Sequence, residues 1–139
     1  PVLSDLLLTR PHGAVLPRDP REPGLRGISD LTVNAGDTLG VFVEAYRTGG
    51  DAFTVELSLR DAGSPSLLRR LGGWIGRTLG ITDAADDPRI AWQDTHGEGR
   101  YVIAMNLPLD PDRRGMQELV LRLTSRTGSS ETRRTFLIR

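Results

Sequence analysis

Strict alternation of apolar and polar residues constrains this chain more than any other feature. Phe53, Val55, Leu57 and Leu59 occupy every second position, with Thr54, Glu56, Ser58 and Arg60 between them. Successive side chains of an extended strand point to opposite faces, so this stretch builds one dry face and one wet face. The same period returns at 101–107, where Tyr101, Ile103, Met105 and Leu107 share a face. At 117–124, Leu119, Leu121 and Leu123 are expected inward, with Glu118, Val120 and Arg122 outward. Phe136 and Ile138 mark the inner face of a closing strand at 132–138, and Ile90 and Trp92 that of one at 89–93. Residues 39–46 are apolar on both faces, which predicts a central strand. Residues 3–9 form an apolar run too short for a helix and fit a buried or edge strand.

Turn chemistry punctuates these segments. Thr48-Gly49-Gly50-Asp51 predicts a hairpin joining 39–46 to 53–60, and Thr127-Gly128-Ser129-Ser130 predicts a second between the last two strands. Residues 10–27, rich in proline and glycine, read as a long irregular connection crossing the surface. About seven short strands at near-regular spacing imply a single mainly β domain. The expected form is an antiparallel Ig-like or fibronectin-III-like β-sandwich.

One segment breaks the period. Leu67, Leu68, Leu71, Trp74, Ile75 and Leu79 fall on one stripe of a 3.6-residue helix over 65–80. Ser64 suits the N-cap, Pro65 the first helical position and Gly80 the stop. Gly72, Gly73 and Gly76 each cost about 1 kcal/mol relative to alanine, so this helix needs a surface to pack on. Three surfaces are open to it: its own sandwich, a partner protein, or an anionic membrane. For the latter two, Leu67, Leu71 and Trp74 would anchor, flanked by Arg69, Arg70 and Arg77.

Composition removes whole chemistries. All 18 basic residues are arginine, and cysteine is absent. No lysine means no Schiff base and no phosphate-loop lysine; no cysteine means no thiol nucleophile, no disulfide framework and no cysteine-based zinc site. His12 and His96 lie far apart and read as exposed loop residues. Asp83, Asp86, Asp87, Asp94 and Glu98 form an acidic stretch without calcium-loop spacing, and read as a solvated loop. No serine-nucleophile signature is present. No cofactor and no metal is therefore expected. The chain begins at Pro1, and is expected to be a processed or excised part of a longer protein.

The formal charge is zero, yet it is segmented. Residues 113–139 hold seven arginines against two acids, and residues 78–112 hold two against seven. The closing hairpin places Arg122, Arg133 and Arg139 outward, with Arg113 and Arg114 in the turn before it. Such guanidinium forks dock carboxylates or phosphates. Stacking aromatics and a basic balance are missing, so nucleic acid is not an expected partner.

Ser4-Asp5-Leu6-Leu7-Leu8, followed by Gly40-Val41-Phe42-Val43-Glu44-Ala45-Tyr46, resembles the Ig-like C-terminal region of bacterial GWxTD-domain proteins. Further matching stretches are Arg89-Ile90-Ala91-Trp92, Leu107-Pro108-Leu109-Asp110, and a glycine before the Leu119-Val120-Leu121-Arg122-Leu123 strand. A final Arg-x-Phe strand completes the likeness. The GWxTD motif itself is absent; Gly73-Trp74-Ile75-Gly76 shares only its first two letters. The resemblance implies a β-sandwich module of a secreted or periplasmic bacterial protein without catalytic activity, and carries over no functional residues. The expected function is a non-catalytic protein–protein interaction or structural module of the cell envelope, working through Arg122, Arg133 and the helix. The alternative is an accessory subunit docked to a membrane-associated complex through that helix. A carbohydrate-binding or hydrolytic domain ranks behind both, because aromatics make up only 5% of the chain.

Overall fold

The structure is a computed structural model that describes residues 1–22, 27–28, 30–48, 50, 52–62, 89–95 and 99–139. Its described part is mainly β, in two sheets. The smaller sheet is centred on β4 (Thr38–Tyr46). On one side β4 pairs with β1 (Val2–Leu3) and β2 (Leu7–Thr9), and on the other with β7 (Arg100–Pro108), always antiparallel. In the larger sheet the order is β3 (Thr32–Val33), β9 (Gly128–Ile138), β8 (Gly115–Ser125), β5 (Ala52–Asp61) and β6 (Arg89–Thr95). There β3 runs parallel to β9, and the other pairs are antiparallel.

The alternation read from the sequence builds the core. Phe53, Val55, Leu57 and Leu59 are at most 4% exposed, as are Leu119, Leu121, Leu123, Phe136 and Ile138. They share one cluster with Leu39, Val41, Val43, Ile103 and Leu107 of the smaller sheet. Truncating a core leucine of this kind to alanine typically costs about 2–5 kcal/mol. Phe53 meets Tyr101 edge-on at 5.0 Å between ring centroids, across the two sheets.

Several expectations are corrected. The hairpin between 39–46 and 53–60 does not form: β4 and β5 lie in different sheets. The loop after Tyr46 is instead the passage between them, with Arg47 at φ 56° and Gly50 at φ 72°. Alternating runs beside a glycine-rich loop suggest a hairpin, but both strands carry buried faces that suit opposed sheets equally well. The single strand at 3–9 is two short ones, because Ser4 turns its hydroxyl to the Glu44 amide (2.9 Å) between them. The closing hairpin forms, with Ser125 paired to Gly128 around Arg126 and Thr127. Ile90 and Trp92 lie on the core side, yet Ile90 is 46% exposed. The helix expected over 65–80 lies outside the described residues, as do Leu67, Arg69, Arg70, Leu71, Trp74 and Arg77.

The connection after β2 crosses the outer face of the smaller sheet. His12 is buried, not exposed as expected. Its amide donates to Asn106 Oδ1 (2.7 Å), its carbonyl accepts from Asn106 Nδ2 (3.0 Å), and its ring Nε2 lies 3.1 Å from the Val41 carbonyl. Further along, the Arg18 carbonyl accepts from Arg100 (2.9 Å), which also pairs with Glu44 at 2.8 Å. Gly40 permits this close crossing. A Cβ there would stand 2.2 Å from Thr9 Oγ1 and 2.4 Å from the Arg10 carbonyl oxygen. Beneath this strap Phe42 faces outward but is only 1% exposed.

Candidate interaction surface

The outer face of the larger sheet carries the arginines singled out in the sequence. Register sets Arg122 beside Glu56 on one neighbour and Glu131 on the other. One row along, Val120 lies between Ser58 and Arg133; the next pairs Arg60 with Glu118. Opposite charges on adjacent strands attract, and here they interlock. Arg122 donates to Glu131 Oε2 (2.7 Å), and Arg133 binds the other oxygen of the same carboxylate. Arg133 also lies 3.8 Å from Glu118, which Arg60 holds at 2.8 Å. Arg89 pairs with Glu56 at the edge.

The expected basic stripe is therefore a lattice in which Arg122 and Arg133 are brought together but already bound to acids. Burial pushes the Glu131 carboxyl up, but the Arg122 and Arg133 guanidiniums outweigh it, and Glu131 titrates below the usual carboxylate range. At its outer position Val120 is only 5% exposed. Long charged side chains cover apolar neighbours with their methylene stems, and that covering is not visible as a sequence period. Arg113 and Arg114 are structural. Arg113 donates to Gln117 Oε1 (2.5 Å) and Arg114 to the Pro111 carbonyl (2.5 Å). Gln117 is fully buried and donates in turn to Asp61 (2.7 Å).

A second feature escaped the sequence. The larger sheet extends beyond the smaller one at the β6 edge. Ile90, Trp92 and Asp94 share a face with Leu57, Val55 and Phe53. Among the described residues the opposed sheet ends at β7, which pairs only with β4. At one end Tyr101 reaches across, its hydroxyl donating to Asp94 Oδ2 at 2.5 Å. Burial and that carboxylate push the Tyr101 phenol up to about 12, against a lowering contribution from Trp92. At the other end Ile90 is uncovered. Between Arg100 and Pro108 the β7 edge carries no charged side chain. Among the described residues the result is a shelf one strand wide, floored by β6 and walled by the backbone of β7.

Of the acidic stretch, Asp94 serves this contact; Asp83, Asp86, Asp87, Glu98 and also His96 lie outside the described residues. Among the described residues no group of three or more His, Asp or Glu side chains gathers to hold a metal. Comparison with known proteins gives no match among family models, curated proteins or solved structures.

Proposed function

We propose that the chain is a non-catalytic protein–protein interaction module built on an Ig-like β-sandwich. Two sheets with one shared core support the sandwich. A first strand split between β1 and β2, and a β3 strand running parallel to the last, favour the Ig-like type. The observation that carries the interaction reading is the shelf at β6 and β7. An unpaired strand edge is a template for another chain, and monomeric proteins blunt such edges with charge or proline. The seven positions 101–107 carry neither. Beside them, among the described residues, lies an apolar floor on which Ile90 is 46% exposed and Trp92 half-buried. Strand addition supplies main-chain hydrogen bonds along the edge and pockets for alternate side chains on the floor. The likeness to envelope proteins of bacteria adds a periplasmic or cell-envelope setting to this reading.

Site-specific photocrosslinking tests it. A photoreactive residue at position 90, in the chain produced in its own host, should yield one discrete protein adduct. The same residue at Met116, equally exposed on the far side of the sheet, should not. Absence of an adduct at position 90, or identical adducts at both, overturns the proposal.

A further inference from the structure

A groove of about 260 Å³ opens on the opposite edge of the larger sheet, between β2 and β9. Its walls are mainly apolar: Leu6, Leu7, Leu8, Ile28 and Leu31 line it beside Thr9 and Gly27. One charged side chain enters it. Arg134 pairs with Leu119 across the sheet and therefore sits on the core-facing side of β9, where its neighbours in that row are buried. It is exposed, and among the described residues no carboxylate or carbonyl meets its guanidinium. This contrasts with Arg60, Arg122 and Arg133 on the other face, each held by a glutamate.

The groove is fixed rather than loosely formed. Leu31 adopts φ 51°, a left-handed conformation that strains a leucine and persists only where its surroundings hold it. Its carbonyl accepts from the Leu137 amide at 2.8 Å, and the Ile28 amide donates to the Leu8 carbonyl at 3.0 Å. Ile28 is thus tied to the smaller sheet and Leu31 to the larger one, beside the groove.

We infer that this groove binds the C-terminal residue of a partner protein, with an apolar terminal side chain between the leucines and the terminal carboxylate on Arg134. Three observations select that occupant. An unpaired guanidinium calls for an anion, and its planar fork matches a carboxylate. The larger apolar share of the walls favours an apolar group beside the carboxylate. In an internal Asp or Glu the polar backbone follows within one or two carbons, whereas a terminal residue carries both groups on one carbon. The volume lies below the roughly 300–1,000 Å³ of sites for drug-sized ligands and suits one bulky residue.

A peptide rather than a free acid is favoured by the edge of β9. The amides of Leu137 and Arg139 point away from β8 toward β3, so alternation turns those of Arg133 and Thr135 the same way. Among the described residues no strand lies beside 133–135, and these groups stand ready for the peptide's last backbone units. The site lies across the sheet from the β6 shelf, so each can fail without the other.

Fluorescence anisotropy with a labelled peptide, Gly-Ser-Gly-Ser-Val-Leu, tests the inference. The free-acid form should bind saturably and at least tenfold more tightly than the C-terminally amidated form. Arg134→Gln should abolish that difference, while Arg134→Lys should retain part of it. Both variants should keep the parent's thermal midpoint, since the side chain is exposed and unpaired. Equal binding of acid and amide, or no saturation up to millimolar peptide, overturns the inference. If 4-methylpentanoate binds as tightly as the peptide, the β9 edge contributes nothing and the peptide assignment falls.

Discussion

Tyr101 joins three roles in one side chain. Its ring packs on Phe53, its hydroxyl binds Asp94, and together these tie the β7 edge to β5 and β6 of the larger sheet. A phenol ordinarily ionises near pH 10; here burial first, and then the Asp94 carboxylate, raises it to about 12. Because the folded value is the higher one, the neutral phenol stabilises the fold fully below about pH 10. That contribution is lost as pH rises from there through about 12. Tyrosinate absorbance in the Tyr46→Phe variant should therefore show a midpoint well above 10 for Tyr101 while the chain stays folded. A midpoint near 10 would mean the Asp94 contact is not made in solution. The inward side of Tyr101 was readable from its period. Its partner was not, because Asp94 looked like part of a solvated acidic loop. His12 misled for the same reason: a histidine between proline and glycine reads as exposed, and only the distant Asn106 amide reveals the binding site that buries it.

At the level of elements, the strap over 10–22 is the clearest case of a loop acting as structure. Asn106 grips both main-chain groups of His12, replacing the strand partner that irregular backbone lacks. Asn106→Ala strands those groups and should cost about 1–3 kcal/mol. Hydrogen exchange would locate the loss: the His12 amide should lose protection, while amides of β5 and β8 keep theirs. Unchanged protection at His12 would show that the His12 ring contact to Val41 and the Arg100 bond to Arg18 hold the strap without Asn106. Strand positions and inward faces were legible for β5, β7, β8 and β9, because alternation is a local signal. Pairing is not local. Nothing in residues 39–60 says whether the second run folds back on the first or crosses to an opposed sheet, and the β4–β5 hairpin failed there. β3, at two residues, is too short to have a period at all.

At the scale of the molecule, most pairings join distant parts of the chain. Gly40 meets Asn106, and Leu57 meets Leu121. Among the described residues only the β8–β9 hairpin closes over a short turn. Loop closure must precede the reward of such contacts, which places refolding in the range of about milliseconds to seconds. Stopped-flow fluorescence of the tryptophans would check it; a dominant sub-millisecond phase would be inconsistent with this topology. How the charges are used also became visible only at this scale. The sequence showed basic and acidic blocks, but not that β9 carries its own Glu131 into the arginine row.

The unequal widths of the two sheets have one more consequence. β7 offers a long, uncharged edge, the kind of surface along which identical molecules stack into ribbons. Two copies joined through β7 would continue the smaller sheet, but each copy's larger sheet reaches one strand further beneath the seam. Each β6 would then claim space held by the other copy's β5. A lone extended segment slides onto the ledge; a whole second molecule collides with it. Among the described residues the overhang therefore opposes edge-to-edge stacking by shape, where other edge strands rely on lysine, a residue this chain does not contain.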